Sequence, residues 1–212
     1  MGRILSLSDG VFAFSLTLLV LTLAVPVITN PALSVSQVSG RLGYLLRQQY
    51  TTFLGYVFAF VMIAIWWSAH NRLFRWIVRY DDLLIGLNMA LLLEIAVMPF
   101  VLRVYIDYTD TQVAVILFAL IELVTGLTLS LIWFYASWQH RLIRRTIPVS
   151  DIQWMQYRTL ITPAVFAVSI AIALVSILGA EIVWVGALLA QRFTGYSRAI
   201  REARTSPSPG DR

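Results

Sequence analysis

Apolar stretches as long as a bilayer crossing recur along almost the whole chain, and no other feature constrains the fold so tightly. The hydrocarbon core of a membrane is ~30 Å thick and a helix rises ~1.5 Å per residue, so a spanning helix needs ~20 mainly apolar residues. Runs of this kind predict helices over about residues 10–28, 50–69, 83–102, 112–135 and 159–178, with a shorter sixth over 182–193. The last two come from one apolar run that is too long for a single crossing and is interrupted at Gly179-Ala180-Glu181. With 59% hydrophobic residues and a mean hydropathy of +0.78, the chain reads as an all-α integral membrane protein. Residues 1–195 form its six-helix body and 196–212, rich in arginine, serine and proline, a disordered basic tail. Residues 29–49 read as an external linker that turns helical before the second span. Trp66 and Trp67 lie at the end of that span, where amphipathic rings favour the headgroup level. Asp81 and Asp82 are placed as cap and first-turn acids of the third.

All 16 basic residues are arginines and the net charge is +5. They fall in short runs between apolar segments, without the aromatic-interleaved basic surface of a nucleic-acid binder, so membrane topology accounts for them. With six spans, one side holds Arg3, Arg72, Arg75, Arg79, Arg141, Arg144, Arg145, Arg158, Arg192, Arg198, Arg201, Arg204 and Arg212. The other holds only Arg41, Arg47 and Arg103. Positively charged loops stay in the cytoplasm, which puts both termini there. A cleaved signal peptide is the competing reading of the first apolar run. Its n-region carries one arginine followed by an aspartate, and no convincing small-residue cleavage site follows.

Cysteine is absent and the two histidines lie in different loops. No disulfide, thiolate or metal centre can be proposed, nor a nucleophile with its base, so neither an enzyme nor a cofactor is expected. The first helix offers different chemistry. At ~100° per residue, Gly10, Phe14, Thr17 and Leu21 share one face, with Leu18 beside them. Copies of that face around an axis would make apolar rings and a hydroxyl ring, both of which channels use. The same face also serves ordinary helix packing. No internal repeat is visible, so a central pore would need several chains. Ser8 and Asp9 are both suited to capping the helix start. Arg3, Ser8, Asp9, His70 and Asn71 form a possible polar network at the cytoplasmic end, with simple interfacial anchoring of Arg3 as the alternative. Asn88, Glu94 and Glu122 lie inside spans, where polar groups are expensive and either bond between helices or act in transport. A proton-coupled secondary transporter using Glu94, Glu122 and His70 as a relay is therefore the alternative to a passive channel.

Arg3-xxx-Leu7-Ser8-Asp9-Gly10 resembles the arginine, three residues, phenylalanine-serine-aspartate signature of the transmembrane protein 175 family of potassium channels and their shorter prokaryotic homologues. Trp67-Ser68-Ala69-His70-Asn71-Arg72-Leu73-Phe74 is similar to that family's second-helix pattern, and Leu87-Asn88 with Pro99-Phe100 to its third. The resemblance implies a homotetramer of six-helix subunits in a prokaryotic plasma membrane, surrounded by lipid and passing monovalent cations, K+ above all. It further implies a pore lined by the first helix, narrowed by Phe14, Leu18 and Leu21 with Thr17 as a hydroxyl layer, and a structural role for Arg3, Ser8, Asp9, His70 and Asn71. The chain departs from the family pattern at Leu7, where the motif has phenylalanine, and at Phe14, where an aliphatic residue is expected.

Overall fold

The computed structural model describes residues 2–30 and 33–186. Its helices are α1 (Gly2–Leu18), which tightens into a 3-10 turn over Leu19–Thr22, α2 (Val35–Gln48), α3 (Tyr50–Phe74), α4 (Asp82–Asp107), α5 (Gln112–Ser137) and α6 (Val149–Ala173). A shorter α7 follows over Ile177–Gly186. Five of these segments are long and apolar enough to cross a membrane, and α7 is the shorter apolar helix of the expected sixth crossing. Its predicted continuation to residue 193, and the tail over 196–212, lie outside the described residues.

Besides α3 and α4, which run on to Phe74 and Asp107 instead of ending at 69 and 102, three boundaries differ from the sequence expectation for a local reason. The first helix starts at Gly2 and is unwound by Leu23, not placed over 10–28. Ser8 and Asp9 are therefore interior residues of α1, and neither is its cap. Both side chains are engaged with other helices, which removes the tendency of Ser and Asp to pull the backbone out of helix. The fifth crossing starts at Val149 after Pro148, which has extended dihedrals and serves as the cap residue. Proline has no N–H to satisfy and fits a helix entrance. The break before α7 falls at residues 174–176 instead of 179–181. Ser176 Oγ accepts from the Gly179 backbone N–H at 3.1 Å, so Gly179 lies in the first turn of α7. Residues 35–48 do form a helix in the linker before α3. It opens with a capping box in which Ser34 and Gln37 satisfy each other's backbone N–H groups.

The core runs between α3, α4, α5 and α6. Pro163 of α6 packs against Gly126 of α5 so closely that a Cβ on Gly126 would lie 2.8 Å from the proline Cδ. Trp133 Nε1 donates to the Ile152 carbonyl at 3.2 Å, and Gln112 Nε2 to the Ala173 carbonyl at 2.9 Å, an otherwise open acceptor at the end of α6. The loops after α3 and α5 pair through the backbone, Val78 N–H donating to Leu142 O at 2.8 Å. There the α4 cap is clamped. Asp81 accepts from Leu84 N–H at 3.0 Å and from the Tyr135 hydroxyl at 2.6 Å, with Arg141 at 3.4 Å. Desolvation pushes the Asp81 carboxyl up, but these two hydrogen bonds and Arg141 outweigh it and hold the group below the ordinary aspartate range.

Candidate functional site

Helix α1 packs against α3 and α4 with one side and leaves the other uncovered. Ser8, Phe12, Ser15 and Leu19 are buried, at the three- and four-residue spacing of a single helical stripe. Phe14 is 64% exposed and Leu21 76%, against 1% for Phe12. Gly10 and Thr17 are also exposed, while Leu18 is half-buried at the margin. Thr17 Oγ1 donates to the Phe14 carbonyl at 2.8 Å, so its proton is committed to the helix and its oxygen lone pairs are left to face outward.

The inward side carries a series of polar contacts that ends at His70, whose Nδ1 has no partner. Ser8 Oγ donates to Ile4 O at 3.0 Å and accepts from Asn88 Nδ2 at 3.1 Å. Asn88 Oδ1 lies 3.0 Å from His70 Nε2. Because the amide oxygen can only accept, the proton of that bond resides on Nε2. The His70 ring stacks on Phe74 with centroids 4.1 Å apart and tilts against Phe12 at 5.6 Å. Ser8, His70 and Asn88 are all buried. One turn outward, Trp67 Nε1 donates to Asp9 Oδ1 at 2.9 Å. The first helix is thus fastened by two adjacent residues, Ser8 to α4 and Asp9 to α3.

Of the five residues expected in this network, Ser8, Asp9 and His70 hold places in it. Arg3 is exposed and stands apart. Asn71 is displaced too, because a residue next to His70 on a helix is rotated ~100° from it. The amide that meets His70 is Asn88, from the following helix. Trp67 was legible in principle, since it precedes His70 by three residues and so shares its face.

The intramembrane acids belong to other parts of the molecule. Glu94 Oε1 accepts from Thr128 Oγ1 at 2.7 Å between α4 and α5. Glu122 is fully buried and accepts from Trp66 Nε1 at 2.9 Å. No hydrogen bond links Glu94, Glu122 and His70 with one another among the described residues, so the relay of the alternative transporter reading is not assembled. No cluster of three His, Asp or Glu side chains able to hold a metal is found among the described residues either.

A family model described as endosomal/lysosomal potassium channel TMEM175 matches residues 3–99, the stretch from α1 to Pro99 in α4. A potassium channel from Streptomyces collinus is 29% identical over 140 residues, 64% of this chain and 64% of that protein. A potassium channel from Chamaesiphon minutus is 27% identical over 179 residues, 83% of this chain and 85% of the relative. The human endosomal/lysosomal proton channel TMEM175 is 28% identical over 134 residues, 63% of this chain but 25% of the human protein. The crystal structure of the Chamaesiphon minutus TMEM175 homologue has the same fold, with a TM-score of 0.72 at 23% identity over 92% of this chain and 96% of that one. A variant of the potassium channel MtTMEM175, crystallised in complex with a nanobody fusion protein, superposes with a TM-score of 0.69 at 17% identity, over 94% of each chain.

Proposed function

The chain is a member of the transmembrane protein 175 family, matched over residues 3–99, and from that premise we propose that it is a passive, potassium-preferring channel. Several copies, four by analogy with the family, surround an axis and turn the uncovered side of α1 toward it. Phe14, Leu18 and Leu21 then form the narrow section and Thr17 the hydroxyl layer between apolar rings. An ion crossing it trades water for weak, replaceable ligands, which favours conduction over capture. Residues 1–195 constitute the channel unit. The arginine distribution favours cytoplasmic termini, and the bacterial relatives favour a prokaryotic plasma membrane.

One observation carries this reading: beyond Gly10, the side of α1 opposite its buried stripe is apolar, exposed and interrupted by the Thr17 hydroxyl. Exposed apolar side chains on other helices, Leu93 and Phe100 among them, are covered by lipid; what supports the pore-facing assignment of this side of α1 is the Thr17 hydroxyl set between Phe14 and Leu21. In proteoliposomes, a K+ gradient alone is expected to drive flux well above that of empty liposomes, with no second gradient required. Flux no greater than in empty liposomes across several pH values and voltages refutes the reading.

A further inference from the structure

A second space opens inside the subunit, on the far side of α3 from α1. It is a cavity of about 270 Å³ between α3, α4, α5, α6 and α7. One wall is aromatic. Trp184 of α7 lies 4.9 Å from Phe118, 5.7 Å from Tyr105 and 5.8 Å from Phe166, centroid to centroid. Glu122 lines the same cavity one helical turn beyond Phe118, so a carboxyl group stands beside the aromatic wall.

Two buried polar atoms of this lining lack partners. Glu122 Oε2 takes the Trp66 indole proton, whereas Oε1 bonds to nothing. Trp184 Nε1 is likewise unpartnered. A polar atom buried in the membrane interior without a partner costs about 1–3 kcal/mol, more when charged, and Glu122 is fully buried. The other charged groups lining the cavity sit toward its ends. Arg72 and Arg158 are near the end shared with the arginine-rich loops, and Arg158 lies 5.1 Å over the Trp154 ring. Glu181 is at the opposite end, where it accepts from the Tyr105 hydroxyl at 2.7 Å.

Ring faces carry negative potential and attract cations, and the attraction grows when the site excludes water. A buried carboxyl group with one oxygen unpartnered, next to four such rings, is the recognition chemistry of an ammonium group carrying an apolar substituent. We propose that this intrasubunit cavity binds a small protonated organic amine, its ammonium on Glu122 Oε1 and its apolar part against Phe118, Phe166 and Trp184. The site is separate from the face of α1 assigned to conduction, and its occupancy does not depend on that assignment.

The test is calorimetric titration of the full chain in detergent with phenethylammonium, compared with its neutral near-isostere phenethyl alcohol. Saturable binding near one per chain is expected, at least tenfold tighter for the ammonium than for the alcohol, and at least tenfold weaker in Glu122→Gln. Val165→Trp, which adds bulk to the cavity from its α6 wall and leaves Glu122 in place, is expected to abolish binding. Phe14→Ala is expected to leave it unchanged, which separates this site from amine block of a pore. Should Glu122→Gln not fold, the ammonium-to-alcohol ratio on the native chain and Val165→Trp decide the matter. Absence of saturable binding, equal affinity for the two ligands, or undiminished binding in Val165→Trp overturns the proposal.

Discussion

The two sides of α1 are built on opposite plans. Toward α3 and α4, Ser8, Phe12, Ser15 and Leu19 are buried, and Ser8 enters a hydrogen-bonded series through Asn88 to His70. Away from them, Phe14, Thr17 and Leu21 are exposed, and the one polar group among them bonds only within its own helix. Such a division would let one helix fasten the subunit with one side and, in the proposed channel, line the path with the other. The fastened side fixes where α1 stands, and the other can vary in side-chain size without disturbing the subunit. The departure at Phe14 falls on the exposed side, whereas the Ser8, His70 and Asn88 constellation is buried.

Phenylalanine substitutions break this comparison most sharply. Phe12→Ala opens a cavity in a packed core and is expected to lower subunit stability by about 3–5 kcal/mol. Phe14→Ala removes an exposed ring and is expected to shift stability by less than about 1 kcal/mol while changing K+ conductance or selectivity. Thermal unfolding of both variants in detergent, alongside liposome flux of Phe14→Ala, checks the pair. Equal destabilisation by the two would erase the distinction between the sides.

A smaller effect is expected at Asn88→Leu. It strands the His70 Nε2 proton, at about 1–3 kcal/mol for a buried group left unpaired, while Ser8 loses the amide donor but keeps its bond to the Ile4 carbonyl. A melting temperature within error of the parent protein would mean that the series does not hold α1. Smaller still is the contribution of the clamp at the α4 cap. Because the folded Asp81 carboxyl lies below its ordinary range, its contribution is fully present above pH ~4 and fades as pH falls through the lower folded value. Tyr135→Phe removes the 2.6 Å hydrogen bond and is expected to raise the midpoint of acid unfolding. An unchanged midpoint would show that Asp81 is held by its backbone contact and Arg141 alone.

The number of apolar segments was readable from residue order because crossing a bilayer demands a fixed length of hydrophobic helix. The uncovered face of α1 was readable as a geometrical face, since the helical period puts Gly10, Phe14, Thr17 and Leu21 together whatever they meet. Its helix start was not. Ser-Asp-Gly reads as a cap when local preferences are considered alone, and only Asn88 and Trp67, 80 and 58 residues away from their partners Ser8 and Asp9, make those side chains comfortable inside a helix. The same limit hid Asn88 behind Asn71. Adjacency in sequence favoured Asn71, but an amide one residue from His70 points off its face, and contact through a second helix decides the partner. Glu122 was visible as an expensive residue, yet its pairing with Trp66 and the aromatic wall beside it arise from α3, α5, α6 and α7 converging.

The absence of native cysteine makes the central claim directly measurable. Single cysteines at Thr17 and Leu21 on the uncovered side, and at Ser15 on the buried one, can be exposed to a small charged thiol reagent while K+ flux is recorded from proteoliposomes. Modification at Thr17→Cys and Leu21→Cys is predicted to block flux, and Ser15→Cys to be unaffected. Undiminished flux through channels fully labelled at residues 17 and 21, or block confined to residue 15, would contradict the assignment of this side of α1 to the conduction path.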